Sequence, residues 1–153
     1  MLKLFPTYVL VGFLWCLHWL PLPVLRFLGA GLGRLLYRLG RERRHVALTN
    51  LRLCFPDKTE AEREQIARRH FVVFAQAVLD RTLGWWASRE RIERLIRISG
   101  VEHMMVRDGR PVVLLTPHFV GLDAGGTAVS MHSVGCSVFS SQKNPVLNKL
   151  LYD

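Results

Sequence analysis

The sequence predicts an α/β fold, a largely parallel sheet covered by helices, preceded by a hydrophobic amino-terminal helix that anchors the chain to a membrane. Three observations carry this expectation. The run Val112 to Leu115 is continuously apolar between turn-forming residues, the pattern of a strand buried on both faces. Apolar residues recur at helical spacing behind the pair Thr59 and Glu62, which has the form of a capping box. Leu4 to Leu25 contains no Asp, Glu, Lys or Arg.

Composition narrows the classes before any element is placed. With 153 residues, 50% hydrophobic and 22% charged, the chain is neither disordered nor a polytopic membrane protein. A net charge of +9 calls for an anionic partner: nucleic acid, anionic lipid or an acidic protein. Cys16, Cys54 and Cys136 are odd in number and far apart, which argues against a disulfide framework or a zinc site, and each reads as a small buried apolar residue in a reducing compartment.

The proline-free part of the amino-terminal segment, Thr7 to Leu20, would be about 21 Å long as a helix, against roughly 30 Å of bilayer hydrocarbon. A tilted span and an interfacial or re-entrant anchor both remain open, with Pro21 and Pro23 as breakers. No small-x-small cleavage site follows, which argues against a secretory signal. Arg26, Arg34, Arg38, Arg41, Arg43 and Arg44, opposed only by Glu42, mark a cytoplasmic flank. Leu22 to Leu39 interleaves arginines with leucines and reads as a basic amphipathic helix suited to anionic headgroups. Gly29 and Gly33, four apart, either admit a second helix closely or, more simply, loosen the packing. The aromatic residues lie in the uncharged block, apart from the arginines. That separation favours a lipid surface over nucleic acid, where the two types would alternate. Residues 1–40 are thus read as anchor plus basic helix, and 41–153 as a separate domain.

Further along, Thr59 opens a helix running towards Leu83 and closed by Gly84. Its apolar face is Ile66, Phe71, Val73, Phe74, Ala77 and Val78, with Arg63, Arg68, Arg69 and Arg81 outside and His70 partly exposed. Ser88 caps a second helix through Ile92, Leu95 and Ile96, followed by an extended segment at Arg97 to Ser99. A short helix at Val101 to Arg107, a stop at Gly109 and the strand after Pro111 complete a βαβ unit. A further strand at Val134 to Phe139 precedes Asn144 and Pro145, an N-cap and first-turn pair.

Directly after the first apolar strand stand His118 and Asp123. In a continuous helix five residues would separate them by about 7.5 Å along the axis, so a turn has to intervene for them to meet. Pro117 disfavours helix at Thr116, and Gly121 frees the backbone to bend. A carboxylate holding one imidazole nitrogen leaves the other to take a proton, which is the arrangement of a general base acting on an alcohol or amine.

The strings NLRLCFPDKTEAER (Asn50 to Arg63), LLTPHFVGLD (Leu114 to Asp123) and SSQKNPVLNKLL (Ser140 to Leu151) resemble the lipid A lauroyl and myristoyl acyltransferases, a branch of the glycerolipid-acyltransferase-like superfamily marked by His-x-x-x-x-Asp. The phospholipid branch usually carries Asn before the histidine and Ser or Gln two after it; Pro117 and Val120 stand there, which favours the lipid A branch. The resemblance implies transfer of an acyl chain from acyl carrier protein to a hydroxyl of a lipid A precursor at the cytoplasmic face of the bacterial inner membrane. No cofactor or metal is implied. His118 and Asp123 are the catalytic candidates; Phe119, Gly121, Lys143 and Asn144 are the substrate-binding candidates. The partners implied are acyl carrier protein, the lipid A precursor and anionic membrane lipids, with no nucleic acid. Members of the family continue past the helix that begins at Pro145 and carry a further arginine motif, so residues 41–153 correspond to the amino-terminal part of the catalytic domain. The competing expectations are a silent membrane-binding protein, a phospholipid acyltransferase, and a serine esterase using Ser130, Ser133, Ser140 or Ser141 with His118 or His132. The esterase lacks a Gly-x-Ser-x-Gly elbow.

Overall fold

A computed structural model describes residues 4–103, 112–138 and 140–152. Its helices are α1 (Phe5–Leu17), α2 (Leu22–Leu39), α3 (Arg41–Cys54), α4 (Glu60–Trp86), α5 (Arg89–Leu95), α6 (Leu122–Ser130) and α7 (Pro145–Tyr152), with one 3-10 turn at Val101–His103. The chain divides into two compact units, Leu20–Asp80 and a second made of Met1–Trp19 with Arg81–Asp153.

In the unit Leu20–Asp80, Pro21 and Pro23 start α2, since proline suits a first helical turn where no N–H bond is required. Helix α2 has the bounds that its alternating arginines and leucines predict. Its glycines settle the alternative left open by the sequence. An added Cβ at Gly33 would lie 2.5 Å from the Phe71 oxygen and the Val72 Cα, and one at Gly29 would lie 2.8 Å from the Gln76 Cα. Both glycines therefore allow the α2 and α4 backbones to approach closely. Across this crossing Gln76 Nε2 donates to the Arg26 carbonyl at 3.0 Å, and the Tyr37 hydroxyl donates to Glu64 at 3.2 Å. Gly40 ends α2, its N–H donating to the Leu36 carbonyl, and α3 begins at the next residue.

Helix α4 opens with the capping box read from the sequence. The Thr59 N–H donates to Glu62 Oε2 at 2.7 Å, and the Glu62 N–H donates to Thr59 Oγ1 at 3.3 Å. The Thr59 N–H, and after it the Thr59 hydroxyl, which also donates to Glu62 Oε2 at 2.9 Å, hold the Glu62 carboxyl below the usual range. Three expectations for α4 need correction. The helix passes through Gly84 and ends at Trp86. Its buried stripe is Ala67, Ala75 and Leu79, continuing to Thr82 and Leu83, while Val73, Phe74 and Val78 are exposed. Arg63 is buried rather than outside, because its guanidinium ties down the turn before α4, donating to the Phe55 carbonyl at 2.9 Å and the Pro56 carbonyl at 3.3 Å. A charged group tolerates burial when it satisfies several acceptors at once.

In the other unit, α1 packs against α7, and the Asn144 Nδ2 donates to Thr7 Oγ1 at 3.0 Å. Buried His18 sits among Trp15, Trp19 and Trp86, and its carbonyl accepts from Arg91. Ser88 caps α5 as expected, accepting from the Arg91 N–H. Asn144 caps α7, its Oδ1 accepting from the Val146 N–H at 3.0 Å.

The expected parallel sheet is not found among the described residues. Among the described residues there is no strand, and the architecture is helical. A strand is held by the N–H and C=O groups of a neighbour. The run Val112 to Leu115 finds no such neighbour, and Val113 and Leu115 are 93% and 96% exposed. Val134 and Val138, in the second expected strand, lie equally open in coil. Residues 104–107 of the expected short helix, with Gly109, Pro111 and Phe139, lie outside the described residues. The spanning anchor also falls. Helix α1 has 13 residues, about 20 Å at 1.5 Å per residue, and no helix among the described residues is long and apolar enough to cross a membrane. All three cysteines are exposed rather than buried.

Candidate functional site

The segment that carries His118 is shaped by two local turns. The Phe119 N–H donates to the Pro117 carbonyl at 2.8 Å, a three-residue turn centred on His118. The Leu122 N–H then donates to the Phe119 carbonyl at 3.0 Å, and α6 starts there with Gly121 as its N-cap residue. Proline before the histidine and glycine before the helix thus supply a bend between residues 118 and 123. Asp123 occupies the first turn of α6, where a carboxylate complements the helix dipole.

The bend does not by itself join the two candidates. Asp123 Oδ2 accepts from Arg81 Nε at 2.5 Å, a pair 49% and 43% exposed respectively. The His118 side chain is exposed, and among the described residues no hydrogen bond or ion pair links it to Asp123. An exposed ion pair contributes only about 0–1 kcal/mol, so Asp123 can leave Arg81 at little cost. Nothing in the sequence signalled Arg81, which stands 42 residues away on α4.

The accompanying candidates separate into two kinds. Phe119 is 75% exposed beside His118, and Gly121 has open space where a Cβ would stand. Lys143 is exposed, whereas Asn144 is engaged structurally as the cap of α7 and the partner of Thr7. Among the described residues no group of three His, Cys, Asp or Glu side chains gathers to hold a metal.

A second feature escaped the sequence reading. Between α2 and α4 an open cavity of about 380 Å³ is walled by Arg34, Arg38, Arg68 and Arg69. Arg68 is partly neutralised by Glu64, 2.6 Å away, which holds that carboxyl below its usual range. Beneath them Tyr37 is buried, which pushes its hydroxyl pKa up, and the Arg68 guanidinium lies 4.6 Å from its ring centroid.

These features define a basic helical chain with a His-x-x-x-x-Asp pair at a turn-to-helix junction. The chain belongs to the bacterial lipid A biosynthesis acyltransferases, whose family model matches residues 1–153. It is 32% identical over 148 residues to the lipid A biosynthesis lauroyltransferase of Escherichia coli (strain K12), covering 94% of this chain and 48% of that relative. A lipid A biosynthesis acyltransferase of Haemophilus influenzae is 33% identical over 133 residues, covering 86% of this chain and 43% of its own length. The E. coli lipid A biosynthesis myristoyltransferase is 36% identical over 124 residues, covering 78% and 38%. The chain therefore spans about half the length, or less, of these relatives. No solved structure matches it.

Proposed function

We propose that this chain is part of an acyltransferase that moves a fatty acyl group from an acyl-carrier-protein thioester to a hydroxyl of a lipid A precursor. The observation that carries this reading is the family match along residues 1–153, which include His118 and Asp123. In this reading Asp123 exchanges Arg81 for the His118 imidazole and orients it. The other ring nitrogen takes the proton of the acceptor hydroxyl as its oxygen attacks the thioester carbonyl. The tetrahedral intermediate collapses to the ester and expels the thiolate, which recovers the proton from the imidazolium. Backbone N–H groups would hold the oxyanion meanwhile.

The reading places the protein at the cytoplasmic face of the bacterial inner membrane, held at the interface rather than across it. Helix α1 exposes Phe5, Phe13 and Trp15, an apolar surface suited to the headgroup boundary. The arginines meet anionic lipids and the acidic carrier.

The test is mass spectrometry of lipid A from a strain lacking the gene, complemented with the gene or with its His118→Ala form. Loss of one secondary acyl chain, restored by the first and not by the second, is the expected result. Restoration by His118→Ala refutes the assignment.

A further inference from the structure

The arginine-walled cavity between α2 and α4 takes no part in the steps proposed for His118. The side chains of Arg34, Arg38 and Arg69 make no ion pair or hydrogen bond among the described residues, and Glu64 is bonded to Arg68 and Tyr37. Arg34 and Arg38 stand four apart on α2, so this pair repels itself, and Arg69 follows the Glu64-paired Arg68 on α4. Arg34, Arg38, Arg68 and Arg69 line this concavity, largely through apolar surface, and with Glu64 as the one carboxylate paired there its surroundings carry net positive charge that suits an anion with several acceptor oxygens. Guanidinium forks match phosphate oxygens two at a time.

The surroundings indicate where that phosphate comes from. On α2, Val24, Leu28, Leu35 and Leu39 recur at helical spacing and are all exposed, from 41% for Val24 and Leu28 to 71% for Leu39. At about 100° per residue this stripe lies beside the Arg34 and Arg38 face, while the buried face of α2 holds Leu25, Gly29, Gly33 and Tyr37. Apolar side chains flanking a cationic pocket suit a phosphate that carries acyl tails, not a free ion.

We propose that this cavity is a headgroup site for an anionic phospholipid of the membrane surface: Arg34, Arg38, Arg68 and Arg69 take the phosphate, and the α2 stripe enters the acyl boundary. The proposal deepens the membrane-surface reading given under Proposed function and rests on that part alone, not on acyl transfer.

The 153-residue chain is tested by co-sedimentation with phosphatidylcholine vesicles with or without phosphatidic acid. The unmodified chain should prefer the acidic vesicles. Removing a basic residue from an anionic surface costs about fivefold in affinity, so Arg34→Gln/Arg38→Gln should lose on the order of 25-fold. The control Arg94→Gln/Arg97→Gln, with the same net charge, should lose less than about threefold. Unchanged circular dichroism checks that both variants fold. Inorganic phosphate at matched phosphate concentration and constant ionic strength should not displace the chain.

Equal losses in the two variants would mean a diffuse charge effect and overturn the site. Displacement by inorganic phosphate would overturn the lipid source. Loss of carrier-protein binding with vesicle binding intact would assign the cavity to a protein partner instead. His118→Ala should bind vesicles as the unmodified chain does, so failure of the catalytic assignment and failure of this site are read separately.

Discussion

Replacing Gly33 by alanine isolates the energetics of the α2–α4 crossing. The added methyl would lie 2.5 Å from both the Phe71 oxygen and the Val72 Cα, and 2.8 Å from the Val72 nitrogen. Ordinary contact begins near 3.4 Å, and the atoms met are backbone, so one helix must shift by most of an ångström. Overpacking of this kind costs about 1–3 kcal/mol, and the upper part of the range applies because no side chain can rotate away. Alanine recovers about 1 kcal/mol of helix propensity over glycine. The net expectation is a loss of about 1–2 kcal/mol. Gly31 is the internal control, since it lies on the same helix with nothing within 4 Å of an added Cβ. Gly31→Ala should gain up to about 1 kcal/mol. Hydrogen exchange read by mass spectrometry on α2 and α4 peptides measures both, each 1.4 kcal/mol appearing as a tenfold change in protection. Should Gly33→Ala protect these peptides as well as Gly31→Ala does, the close approach is refuted.

Two further outcomes follow from the same unit. Thr59→Ala removes the capping hydroxyl of α4 and should cost about 0.5–2 kcal/mol, seen as faster exchange in the first turn of α4 with little change at Leu79. Asp80 is partly buried, and desolvation raises its pKa above the ordinary 3.8 despite Arg26, 3.7 Å away. The folded state therefore holds the proton more tightly than the unfolded state. The resulting penalty is absent below about pH 3.8 and grows as pH rises through the raised folded value. Asp80→Asn should accordingly stabilise the unit at pH 7, with the difference from the unmodified chain vanishing below pH 3.8 in urea titrations. A destabilised variant at pH 7 would show that attraction to Arg26 outweighs the desolvation.

Local signals were readable from the residues alone. The caps at Thr59, Ser88 and Asn144 act over two or three positions, and each appears where its spacing places it. The bounds of α2 follow from its pattern for the same reason. What failed was nonlocal. Val112 to Leu115 has the composition of a buried strand, but burial and pairing depend on residues elsewhere, and the described residues provide neither. The buried stripe of α4 follows Ala67, Ala75 and Leu79 because glycines on α2 select the face they can approach, a choice the α4 sequence does not contain. At the candidate site, the bend between His118 and Asp123 was legible in Pro117 and Gly121. The Arg81 partner was not, for it arrives from a distant helix.

The placement of the indole rings has a practical consequence. Trp15, Trp19, Trp85 and Trp86 all belong to the unit of Met1–Trp19 and Arg81–Asp153, and positions 20–80 contain none. Emission excited at the red edge of indole absorption therefore watches one unit alone, while Tyr37 is the other unit's sole phenol. Indole emission thus follows one half of the chain without any dye or tag, whereas phenol emission is shared between Tyr37 and the Tyr8 and Tyr152 of the indole-bearing unit.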